Sequence, residues 1–200
     1  LRENTLVVLT SDHGDYLGDH WLGEKDLHHD PSIRIPLIIS DPSDAANSTR
    51  GSISDALVEA IDLVPTLTEY AGAKICSERL EGRSLTPLMQ GRLPSGSWRD
   101  YIISEIDYSD RGPRTLLNLH PYDCRARVIR THQWKYVLHE RFRPQLYNLV
   151  DDPNEFTDLG DDPSCAEIRA DLHEALFAWH RKLKSRTEAQ ADRLLTMGPE

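Results

Sequence analysis

Two hundred residues with 38% hydrophobic content can bury one core, and a formal net charge of −10 excludes a protein built to lie along a nucleic-acid backbone. No stretch approaches the roughly eighteen apolar residues of a bilayer span. Cys76, Cys124 and Cys165 form no CxxC pair, which points to thiols of a reducing, cytoplasmic setting.

Residues 4–10 read as a central strand of parallel type, because Leu6-Val7-Val8-Leu9 is apolar without alternation. Residues 11–30 form a long polar loop at its C-terminal end, where open α/β sheets place ligands. Residues 35–40 (IPLIIS) read as a second buried strand and 41–54 as an exposed, turn-rich stretch. Over 55–70, Leu57, Ile61, Val64, Leu67 and Thr68 have helical spacing, with Pro65 as a kink or a new first turn and Gly72 as the C-cap. A short helical turn is expected at 85–89 and a boundary at 91–96. Strands are expected at 101–106, 124–131, 135–139 and 145–148, the last three as an antiparallel meander. A helix follows from 164 to about 185, with Ile168, Leu172, Leu176, Trp179 and Leu183 on one stripe. The fold class is α/β: a truncated α/β portion over 1–97, then a small antiparallel-sheet plus helix (α+β) subdomain over 98–200.

The chemistry concentrates in TSDHGDYLGDHWLGEK at 10–25. A strand ending in Asp12-His13 offers a carboxylate oxygen and an imidazole nitrogen at one depth; oxygen suits Ca²⁺ or Mg²⁺, and the imidazole shifts the odds toward Mn²⁺ or Zn²⁺. Gly14 lets the backbone turn beneath such an ion. Lys25 is a cation able to reach a substrate's anionic oxygen, and His20 either steers a leaving group or hydrogen-bonds the loop. His28 and His29 read as loop polars, one of them able to line the substrate mouth. An Asp-His pair taken bare also fits a local cap beside a surface histidine. Trp134, Tyr136, Tyr147 and Trp179 read as core or subdomain contacts rather than as an aromatic cage for a quaternary ammonium. The polar loop 107–123, with Tyr108, Arg111, Arg114 and His120, reads as surface, though within reach of the pocket rim or of another subunit.

The run SDHGDYLGDHWLGEKDLHHDPSIRIPLIISDP at 11–42, followed by DLVPTLTEYAG at 62–72, LEGRSL at 80–85, THQWKYVLH at 131–139 and LYNLVDDPNEFTDL at 146–159, resembles the C-terminal part of a sulfatase of the alkaline phosphatase superfamily. The resemblance is on the side of choline-sulfatase-like enzymes and phosphonate monoester hydrolases. It implies an alkaline-phosphatase-like sheet in the first portion. It makes Asp12 and His13 the second pair of ligands to one divalent cation, Ca²⁺ or Mn²⁺, and Lys25 the lysine that contacts both the anionic group and the nucleophile. His20 is a weaker candidate for work on the leaving group, and Arg34 an organiser of the next strand.

The family's first metal ligands and its Cys/Ser-x-Pro-x-Arg nucleophile, converted to formylglycine, are expected in an N-terminal part. None of the three cysteines here has proline two places on. The implied activity is metal-dependent hydrolysis of a sulfate ester, a small anionic substrate, by the whole enzyme, with this stretch inactive alone. The alternatives are a phosphonate monoester or phosphodiester hydrolase and a noncatalytic packing or assembly module. No nucleic-acid or membrane partner is implied, and a homo-oligomer is left open.

Overall fold

A computed structural model describes residues 2–76, 79–93 and 96–182. It is a mixed α/β arrangement of two sheets with flanking helices. Strands β1 (Val7–Thr10) and β2 (Leu37–Ser40) pair with each other, and the helix α1 (Asp30–Ile33) lies between them in the chain. The pairing is antiparallel, with Val7 opposite Ser40 and Thr10 opposite Leu37. This pairing departs from the parallel type expected of the first strand. The apolar run has the pattern of a strand covered on both faces, yet among the described residues Val7, Leu9 and Ile38 stay at least half exposed.

The expected helix over 55–70 shrinks to α2 (Leu63–Tyr70), preceded by a 3-10 turn at Ala60–Asp62. The cause is local. The Asp62 carboxylate accepts from the Glu59 backbone N–H (2.8 Å) in a capping box, which sets the start. Pro65 falls in the first turn, where no intrahelical N–H is needed. Gly72 follows the helix with a left-handed φ of 72°. A short α3 (Thr86–Met89) packs against α2.

The second sheet has the order β3 (Ile102–Asp107), β4 (Arg125–Arg130), β5 (Trp134–His139), β6 (Gln145–Asn148), every pair antiparallel. The 107–123 loop folds into α4 (Gly112–Leu116) and a 3-10 turn at Pro121–Asp123. The last helix, α5 (Ala166–Lys182), is entered through a turn capped by the Asp162 side chain. Leu183 and the expected helix end lie outside the described residues.

Alternation along the strands divides this sheet's faces. Ile129, Tyr136 and Leu146 face α5 and form the core with Leu172 and Leu176, with Trp134, Ile168 and Trp179 packed around them. The opposite phase carries Val128, Val137 and Tyr147. It also carries Lys135, which touches residues 28–30 of the polar loop. Buried polar contacts join the stretches before and after residue 97. Arg99 grips both Asp62 oxygens (2.7 and 2.8 Å) and Glu59 (2.6 Å), while Trp98 Nε1 donates to the Leu57 carbonyl (2.7 Å). Among the described residues no helix is long and apolar enough to cross a membrane.

Candidate active site

The chain leaves β1 at Thr10 and reaches Asp12 and His13 within three residues. Gly14 follows because backbone passes against it. Its N–H donates to the Ser32 carbonyl (2.7 Å), and a Cβ there would overlap the Pro31 carbonyl oxygen. Its φ is not left-handed, so close approach, and not the expected sharp turn, demands glycine.

His13 Nδ1 lies 2.6 Å from the Gly14 carbonyl oxygen, which can only accept. The ring hydrogen therefore sits on Nδ1, and the Nε2 lone pair points outward. Lys25 Nζ is 2.5 Å from that Nε2, and Asp12 Oδ2 is 3.4 Å from it. Asp12 is exposed, and its own backbone N–H holds its carboxyl below the usual range. The three side chains converge on the wall of a cleft of about 1680 Å³, which Asp26 and Arg111 also line.

His20 is placed elsewhere. Its ring stacks on His29 (centroids 3.9 Å apart, 14° between planes) with Phe156 at 5.1 Å, and it does not line that cleft. His29 Nδ1 meets the Tyr16 hydroxyl at 2.8 Å. Burial, then the charge of His20, pushes His29 down to about 4. His28 is buried, and burial pushes it down to about 3. The loop is costly in backbone terms: Leu17, His20, Trp21 and Glu24 all have left-handed φ between 48° and 57°. Arg34 is exposed and only 3.9 Å from Asp30.

The loop is anchored by a residue that the sequence reading missed. Lys135 is completely buried, 2.6 Å from Asp30 Oδ1, 2.6 Å from Glu155 Oε1 and 3.1 Å from the His28 carbonyl. Glu155 Oε2 in turn accepts from the Asp30 N–H at 2.6 Å. Burial opposes the Asp30 charge, but Lys135 and Arg130 outweigh it and lower that carboxyl; at Glu155 burial wins and raises it. The 107–123 loop does reach the site. Tyr108 OH donates to the Asp26 carbonyl (2.6 Å), and Arg111 Nη1 is 3.4 Å from Asp26 Oδ1.

Among the described residues there is no cluster of three or more His, Cys, Asp or Glu able to hold a metal. Asp12 and His13 are a pair: one exposed carboxylate and one imidazole with its tautomer fixed. That donor set fits part of a divalent ion's shell, not all of it.

The sequence model of the family described as N-sulphoglucosamine sulphohydrolase, C-terminal, matches residues 18–182. The chain belongs to the sulfatase family of the alkaline phosphatase superfamily. It is 35% identical over 188 residues to the multifunctional alkaline phosphatase superfamily protein PehA of Trinickia caryophylli, covering 92% of this chain and 36% of that protein. It is 30% identical over 190 residues to an arylsulfatase of Clostridium perfringens, covering 94% of this chain and 36% of that protein. The phosphonate monoester hydrolase of Agrobacterium radiobacter superposes with a TM-score of 0.82 at 32% identity, over 90% of this chain and 36% of that one. This sulfatase-family chain therefore spans about a third of the length of these relatives. Its membership accounts for the order of the segments from 11 to 159.

Proposed function

We propose that this chain carries one half of the active site of a metal-dependent ester hydrolase, with a phosphonate monoester or phosphodiester as the first substrate class and a sulfate ester as the second. The convergence of Lys25 Nζ and Asp12 on His13 Nε2 carries the reading. Likeness to PehA and to the phosphonate monoester hydrolase supports the first class, and likeness to the arylsulfatase supports the second.

In this reading Asp12 contributes a carboxylate oxygen and His13 its Nε2 lone pair to a divalent cation. When bound, that ion would neutralise the ester's nonbridging oxygens and orient the nucleophile. Lys25, on its flexible stem, turns from His13 to an anionic oxygen of the ester and stabilises charge as the bond breaks, an effect worth several kcal/mol. The nucleophile, a formylglycine, and the remaining ligands are assigned outside these 200 residues. His20 serves the loop through its stack on His29, not the leaving group. A cytoplasmic setting stays part of the reading, on the free Cys76, Cys124 and Cys165.

The test assays the complete polypeptide in parallel on an aryl sulfate and a phosphonate monoester, with Asp12→Ala and Lys25→Ala variants and metal analysis. Asp12→Ala should lower both bound divalent metal and turnover, and Lys25→Ala should cost on the order of a hundredfold in turnover with metal retained. Faster turnover of the sulfate selects the second class. Full activity and metal content in Asp12→Ala refutes the assignment, and a metal-free, inactive complete polypeptide leaves a packing module.

A further inference from the structure

Lys25 is exposed, and its reach to His13 depends on where its backbone is held. Two hydroxyls hold it. Ser32 Oγ donates to the Lys25 carbonyl at 2.8 Å, and the same Ser32 accepts at its own carbonyl from Gly14 N–H at 2.7 Å. One buried residue thus ties the backbone beside His13 to the backbone of Lys25. The next carbonyl, that of Asp26, accepts from Tyr108 OH at 2.6 Å. Tyr108 comes from 82 positions away, just past β3, and its own N–H is fixed by the Cys124 carbonyl at 2.7 Å. On the other side of Lys25, the Glu24 carbonyl accepts from Tyr16 N–H at 2.9 Å while Glu24 holds a left-handed φ of 57°.

We infer that Ser32 and Tyr108 are positioning residues for Lys25: by fixing two successive carbonyls they keep its ammonium group at the His13 wall of the cleft, so the C-terminal subdomain helps to set turnover through Tyr108. This deepens, and rests on, the proposal that Lys25 contacts the ester's anionic group. A side chain released by the loss of either hydroxyl would sample positions displaced by an ångström or more, and reaction rates are steep in such displacements. The Tyr108 phenol is a donor at any working pH, since burial, then the charge of Asp26, pushes it up to about 12. Arg111 adds a weaker, half-exposed hold on the Asp26 carboxylate.

A double-mutant cycle in the complete polypeptide tests this, using whichever of the two esters is turned over faster. Tyr108→Phe deletes only the hydroxyl. It should lower kcat/KM about tenfold, with melting temperature and metal content unchanged. Because Lys25 transmits the effect, adding Tyr108→Phe to Lys25→Ala should cost nothing further. Ser32→Ala should show the same coupling; should it fail to fold, the Tyr108 cycle decides alone. Wild-type kcat/KM in Tyr108→Phe, or a loss that multiplies in full on Lys25→Ala, overturns the inference and leaves the function of Lys25 standing. A Lys25→Ala enzyme at wild-type rate overturns both, and that single arm separates the two failures.

Discussion

Replacing Lys135 by methionine would keep most of the volume of a fully buried side chain and delete its charge. Three partners lose an ammonium group: Asp30 Oδ1 at 2.6 Å, Glu155 Oε1 at 2.6 Å and the His28 carbonyl at 3.1 Å. Breaking a buried pair from one side costs about 3–5 kcal/mol, because the remaining charge stays in low dielectric. Here the lower end is expected. Asp30 retains Arg130 at 3.3 Å, and Glu155 retains the Asp30 N–H at 2.6 Å. Glu155, already raised by burial, can also take up a proton, which limits the penalty. The expected loss is therefore about 3 kcal/mol in urea denaturation at neutral pH. The deficit should shrink as pH falls, and Lys135→Met/Glu155→Gln should recover about 1–2 kcal/mol of it. A single variant within about 0.5 kcal/mol of wild type, with no gain in the double, would refute the reasoning, since it would mean that the buried network carries no net energy.

Other outcomes follow from the same contacts. His28 and His29 are held neutral with lowered values of about 3 and about 4, so the unfolded chain binds those protons first as pH falls. Stability should be full above about pH 6.5 and fall below it, by about 2 kcal/mol at pH 5 from His28 and less from half-buried His29. Melting curves at pH 7.5 and 5 check this, and His28→Leu should flatten the dependence. Gly14→Ala should push the Pro31 carbonyl away, break the Gly14–Ser32 bond and cost about 1–3 kcal/mol, read by melting temperature. Arg99→Lys cannot reproduce the fork onto Asp62 and should lose about 2 kcal/mol, measured by denaturation.

Much of the fold is legible because local rules decide it. The strand at 145–148 agrees to the residue, the three-strand meander comes from alternation broken by polar turns, and the α5 stripe follows helical spacing. Asp12 and His13 are legible as a polar pair at a strand's end, and the family resemblance is what places Lys25 beside them. His20 lies away from the cleft for a local reason: a left-handed backbone accompanies the stacking of its ring on His29, and nothing in DHW announces that conformation.

The strands of the second sheet, the α5 core stripe and the residues available for chemistry were set by the amino-acid order itself, since each depends on neighbours within one turn or one strand. Partners across the chain were not. Lys135 sits in the outward phase of WKYVLH, where a lysine ordinarily meets water, and only the polar loop packed onto that face makes it a buried anchor. Tyr108 reaches Asp26, and β1 takes β2 as an antiparallel neighbour, for the same reason: contacts between distant segments depend on the free energy of the whole packed arrangement, which no local window of residues contains.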